Sequence, residues 1–142
     1  MTRLTRRYHF SASHRLHSPR FTEQENRELY GKCTNPYGHG HDYILEITVS
    51  GPVDSFSGQV VNIGAFDELV NAQILKDFDH RYLNVDVGEF QEDVPTSENI
   101  LRIAERRLRA RWPEAWPRLE TLKLLETRRN TFELRTSELQ AS

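Results

Sequence analysis

Apolar and polar positions alternate from Leu4 to His14. Tyr8, Phe10, Ala12 and His14 fall on one side, and Arg7, His9, Ser11 and Ser13 on the other. A period of two is that of a half-buried strand. A second alternation runs from His39 to Ser50, with His41, Tyr43, Leu45, Ile47 and Val49 on its apolar side. Between them, Thr22 and Glu25 have the spacing of a capping box and Gly31 is a natural stop, so a short helix is expected there. Asn35-Pro36-Tyr37-Gly38 reads as a turn. Turn chemistry at Asp54–Gly58 leads into a short extended Val60-Val61.

Phe66, Leu69, Val70 and Ile74 then switch to helical spacing, predicting a helix over roughly 65–77. Pro95-Thr96-Ser97 opens a further helix with Leu101, Ala104, Leu108 and Trp112 as its apolar stripe, and Pro113 and Pro117 end it. Two strands close the chain, one with Leu122, Leu124 and Glu126 on a common side, the other with Phe132 and Leu134. Strands, then helices, then strands predict an α+β domain rather than a βαβ series. No linker or repeat divides the chain, so one domain over 1–142 is expected, with Glu138–Ser142 frayed.

Composition adds limits. The 142 residues are 37% apolar and 28% charged with a net charge of −2, which gives no case for a general nucleic-acid binder. Arg106, Arg107, Arg109 and Arg111 fall on a predicted helix and read as a solvated face. Cys33 is the one cysteine, so no intrachain disulfide forms. No run approaches the ~20 apolar residues of a membrane span, and no apolar stretch follows the basic N-terminus. A cytoplasmic protein without membrane or nucleic-acid partners is expected.

The sharpest chemical signal is histidine. His39 and His41, two apart on a strand, leave the same face. His14 ends the apolar face of the first strand. If the two strands pair, three imidazoles converge, and three neutral nitrogens with an open fourth position are the pattern of catalytic zinc. An isolated His-x-His pair is also common without any metal. Cys33 is either a small buried hydrophobe or, with Lys32 and an ion nearby, a thiolate serving as nucleophile or proton acceptor. Asp79-His80 is either a loop pair or an orienting carboxylate with a proton-transfer imidazole. Glu126, on a buried face, needs a partner. That partner is either the N–H edge of a heterocycle or a neighbouring arginine.

Phe10-Ser11-Ala12-Ser13-His14-Arg15-Leu16 and Gly31-Lys32-Cys33-Thr34-Asn35-Pro36-Tyr37-Gly38-His39-Gly40-His41 resemble the signature segments of the 6-pyruvoyl-tetrahydropterin synthase family. Asp79-His80 with Leu83-Asn84, Pro95-Thr96-Ser97-Glu98-Asn99 and Glu126-Thr127 continue the resemblance in order, from about residue 7 to 135. The resemblance implies the tunnelling fold, an antiparallel four-stranded sheet with helices on one face that closes into a barrel by oligomerisation. It implies a homohexamer, a dimer of trimers, with sites at subunit boundaries. The substrate implied is 7,8-dihydroneopterin triphosphate, and the enzyme a carbon–oxygen lyase acting on phosphates.

On the same basis His14, His39 and His41 would hold Zn2+, Cys33 would be the general base, and Asp79 and His80 would relay protons. Glu126 would anchor the pterin, with Thr96, Ser97 and Glu98 lining the pocket. A related branch, 6-carboxytetrahydropterin synthase, takes the same substrate toward deazapurines and releases acetaldehyde. The six-residue step from Cys33 to His39 favours the pyruvoyl branch of tetrahydrobiopterin biosynthesis.

Overall fold

The structure, a computed structural model, describes residues 1–136. The expected fraying at Glu138–Ser142 lies outside the described residues. Strand β1 (Thr2–His14) pairs antiparallel with β2 (His39–Gly51) along its whole length, from Thr2 opposite Gly51 to His14 opposite His39. Between them α1 (Glu23–Tyr30) starts at Thr22, where side chain and backbone of Thr22 and Glu25 close the expected capping box. A 3-10 turn, Gly31–Thr34, follows.

The expected helix over 65–77 is a longer rod in three segments: α2 (Ile63–Val70), a π turn (Asn71–Leu75) and α3 (Lys76–Phe78). The π turn keeps Phe66, Val70, Ile74 and Phe78, four apart, on the buried face. Val60-Val61 adds no strand; Val61 is buried as a loop residue instead. After β3 (Arg81–Tyr82) and α4 (Leu83–Asp86), α5 (Ser97–Arg111) packs across the sheet. Its stripe includes Ile100 and Ile103 as well as the expected Leu101, Ala104 and Leu108. The chain returns as β4 (Arg118–Leu125) and β5 (Thr131–Arg135).

The sheet order is β3-β1-β2-β4-β5. Four strands are antiparallel neighbours, as expected, and a fifth, β3, adds a two-residue parallel edge against Ala12 and Ser13. Two residues are too short for a periodic signal, and the edge is made by the backbone: His80 N–H donates to the Ser11 carbonyl at 2.6 Å.

The core lies between one sheet face and the helices. Phe10 stacks on Tyr43 at 4.9 Å, and Leu45, Ile47, Leu122 and Leu124 sit beneath α2 and α5. Burying each such side chain contributes about 1.5–3 kcal/mol. The solvated-face reading of the α5 arginines fails at Arg107. It packs inward, with its guanidinium on Glu89 and Asp77 and its carbon 5.3 Å from the Phe78 ring centre. Helical spacing places it beside the buried Ile103 and Ala104, four and three residues before it.

Candidate metal centre and active site

The register of β1 and β2 brings the histidines together. His14 lies directly opposite His39, and His41 follows two residues on, opposite Ala12. Their ring centres are 4.5–5.0 Å apart. Gly38 makes the turn into β2 possible. It has φ +73°, and a Cβ there would lie 2.9 Å from the His14 carbonyl oxygen, so only glycine fits.

His14 is fully buried, and its Nδ1 lies 2.9 Å from the Pro95 carbonyl oxygen. A carbonyl can only accept, so Nδ1 carries the proton and Nε2 presents a lone pair. Burial, more than any neighbouring charge, lowers the His14 pKa to about 4. The imidazole is therefore neutral at neutral pH, as a metal ligand must be. His41 is also pushed down by burial. The Nε2 atoms of His14 and His41 face each other at 3.1 Å, and the buried His39 Nε2 has no partner among the described residues.

Cys33 completes the group. The 3-10 turn after Gly31 carries it, and Leu16 N–H donates to its carbonyl at 2.6 Å, tying the turn to the end of β1. One donor atom from each of His14, Cys33, His39 and His41 lies within 4.8 Å of all the others. Three imidazole nitrogens and a sulfur, partly dehydrated, fit a transition ion and not a hard oxygen-seeking one. Burial and the charge of Glu126 push the Cys33 thiol up. The expected help from Lys32 is absent: its side chain is exposed and lines an adjoining cavity. A cation held by the imidazoles is the feature that would bring the thiolate into reach.

Glu126 stands just past the end of β4, with its side chain 14% exposed. Its Oε1 is 3.7 Å from His41 Nε2, and Oε2 accepts the Ser97 hydroxyl. No arginine pairs with it among the described residues, which removes the duller of the two expected partners. Thr96 caps α5, its hydroxyl oxygen accepting the Asn99 N–H at 3.2 Å. Glu98 is exposed on the first turn of α5 and bonds to no described side chain.

Asp79 and His80 are paired with each other at 3.0 Å, not with the trio. Asp79 accepts the Ser11 N–H at 2.9 Å. His80 has φ +60° and its side chain is 82% exposed, a left-handed conformation held by its bond to Ser11. Within one chain, then, six of the ten expected site residues meet around the histidines: His14, Cys33, His39, His41, Ser97 and Glu126. Tyr43, whose hydroxyl is 3.3 Å from His14 Nδ1, was not foreseen at the site. Its place two residues after His41 on the same face was the available signal. The Pro95 carbonyl had none, because a backbone acceptor carries no residue type.

A sheet of four antiparallel strands with a short parallel edge, flanked by helices on one face and carrying an imidazole trio, a sulfur and a shielded carboxylate at one end, defines a candidate metal-dependent enzyme of the tunnelling-fold class. Residues 3–137 match the family described as 6-pyruvoyl tetrahydropterin synthase, and this chain belongs to that family. A 6-pyruvoyl tetrahydrobiopterin synthase of Drosophila melanogaster is 44% identical over 93% of this chain and 78% of its own length. The structure of the Caenorhabditis elegans 6-pyruvoyl tetrahydropterin synthase superposes with a TM-score of 0.88 at 34% identity, covering 96% of each chain. A 6-carboxy-5,6,7,8-tetrahydropterin synthase of Rickettsia bellii is more distant, at 30% identity over 70% of this chain and 75% of its own.

Proposed function

We propose that this chain is a single-domain, zinc-dependent lyase that converts 7,8-dihydroneopterin triphosphate to 6-pyruvoyl-tetrahydropterin and triphosphate. The observation that carries the reading is the convergence of His14, His39 and His41 beside Cys33, in a chain 44% identical to a protein of that name. His14, His39 and His41 would hold the ion, and Zn2+ bound there would supply Lewis-acid polarisation of the substrate's side-chain oxygens.

Glu126, with no Lys or Arg partner among the described residues, accepts the pterin's amino and ring N–H groups in a bidentate arrangement. Ser97 orients that carboxylate. Cys33 removes a proton from the side-chain carbon, a role that requires its thiolate. Asp79 and His80 pass protons to and from the substrate, and in a hexamer a neighbouring copy can present them. Triphosphate departs from the terminal side-chain carbon with the bonding electron pair. The two side-chain carbinols end as carbonyls, a four-electron oxidation matched by two two-electron reductions: the dihydro ring becomes tetrahydro, and the terminal carbon, having lost triphosphate, takes up a proton and ends as a methyl group. No nicotinamide is needed.

Among the described residues β3 and β5 are the edge strands of the sheet, which supports closure by other copies into a barrel, as a dimer of trimers. The lone cysteine supports a cytoplasmic location, and among the described residues no helix is long and apolar enough to cross a membrane. The test is incubation with 7,8-dihydroneopterin triphosphate and identification of the products. A pyruvoyl pterin with triphosphate is expected; acetaldehyde would move the protein to the carboxy branch.

The position of Cys33 within ligand reach favours one second reading, a closed His3Cys structural site. Thiolate coordination in the resting protein, seen by cobalt substitution spectroscopy, would establish it and remove Cys33 as the base.

A further inference from the structure

A cavity that the mechanism does not use lies between α1, the turn that carries Cys33, and the end of β1. It has a volume of about 490 Å³, within the ~300–1,000 Å³ usual for small-molecule sites. Arg15, Arg27 and Lys32 line it, and His39 of the imidazole trio forms part of its wall, so it opens beside the site already described. In a chain of net charge −2, three fixed cations around one cavity make a local reversal of sign.

Little within the protein neutralises those charges. The cavity's one carboxylate, Glu23, meets Arg27 at 4.0 Å with both side chains exposed, a pairing worth at most a few tenths of a kcal/mol. Lys32 has no ion pair among the described residues, and Arg15 spends only its Nε, on the Thr34 carbonyl at 3.0 Å. A second observation is independent of charge. Of four buried side-chain polar atoms without a partner among the described residues, three belong to residues lining this cavity: His17 Nδ1, Thr34 Oγ1 and His39 Nε2. The metal cluster accounts for His39. His17 and Thr34 remain, and buried polar atoms are rarely left unpaired without a ligand or water to meet them.

We infer that this cavity is the subsite for the polyphosphate tail of the substrate, with Arg15, Arg27 and Lys32 as its cationic clamp. The inference rests on the pterin triphosphate reading and extends it. Guanidinium and ammonium groups match phosphate oxygens, Arg as a fork and Lys as a point charge. The tail held there leaves the side-chain carbons next to His39 and Cys33, and the triphosphate, once released, keeps its counter-charges. Each clamp residue thus binds the leaving group and does not touch the carbons that react.

The test uses inorganic tripolyphosphate as probe, titrated calorimetrically into the metal-containing protein, with metal content measured before and after. Arg27→Gln and Lys32→Gln change exposed side chains and leave the fold intact. Each is expected to weaken tripolyphosphate binding about tenfold, the loss of one charge-assisted contact. Lys32→Arg is expected to retain most of the affinity, and KM for the pterin triphosphate should rise in the same order. Wild-type affinity in both glutamine variants overturns the subsite, including the case in which the heat comes from chelation of the metal. Turnover with unchanged KM in those variants removes the subsite and leaves the enzyme reading standing. Arg27- and Lys32-dependent binding without pterin turnover keeps the subsite and removes that reading.

Discussion

Two groups of polar side chains lie partly inside this protein, and they are finished differently. Around Arg107 the valences are filled. Its Nε and Nη2 donate to the two Glu89 oxygens at 2.8 Å, and Nη1 donates to Asp77 at 2.6 Å and to the Gln73 carbonyl at 3.0 Å. Around His14 they are not. His39 Nε2 has no partner among the described residues, two Nε2 atoms face each other at 3.1 Å, and the Cys33 thiol and the shielded Glu126 carboxylate sit nearby. A satisfied buried network rigidifies a fold, whereas one left incomplete awaits what will complete it. The first region joins the π turn, α3, a 3-10 segment before α5 (Gly88–Gln91) and α5 itself. The second is the part with chemistry left to do.

The comparison can be broken most severely by removing a ligand of the ion. His39→Ala should cut metal content below stoichiometric levels, read by atomic emission, and bring turnover to background. Retention of both would show that the open valences at this end serve no ion. Cys33→Ala comes next, with kcat expected to fall about 10³-fold, the scale of a lost general base, while metal content stays near that of the wild type. Full activity would refute the role of Cys33. Glu126→Gln keeps the shape but offers an acceptor–donor edge, and kcat/KM should drop about 100-fold through weaker pterin binding.

The satisfied region should respond in stability and not in chemistry. Arg107→Ala strands Glu89 and Asp77 and uncovers Phe78. Discounted for partial exposure, that is a loss of about 1–2 kcal/mol in denaturant unfolding, with activity per folded molecule unchanged.

The smallest effect is one of pH. The hydrogen bond from Arg107, opposed by burial, holds the Glu89 carboxylate below its ordinary value of 4.5. A depressed carboxylate stabilises the fold above its unfolded pKa and loses that contribution as pH falls through the lower, folded one. Wild type should therefore lose melting temperature faster below about pH 4.5 than Glu89→Gln does. Parallel curves would show that the pair contributes nothing to acid stability.

Much of this was legible in the order of residues. Alternation at Tyr8, Phe10, Ala12 and His14, and at His41 to Val49, specified two strands and their buried faces, because a side-chain period of two assigns every residue to a side. The Thr22–Glu25 box and the Thr96 cap were readable because capping depends on residue type at fixed spacing. The trio's convergence needed only that β1 and β2 pair in the register that sets His14 opposite His39.

What the sequence could not supply is what depends on backbone atoms or distant neighbours. The parallel edge at Arg81–Tyr82 rests on main-chain bonds that any residue can make. The tautomer of His14 is set by the carbonyl of Pro95, 81 residues away. Whether Arg107 faced water or Phe78 depended on where the 3-10 segment and the π turn came to rest, and so did the gathering of Arg15, Arg27 and Lys32 around one cavity. Local periodicity determines which face a side chain takes; only packing determines what stands opposite it.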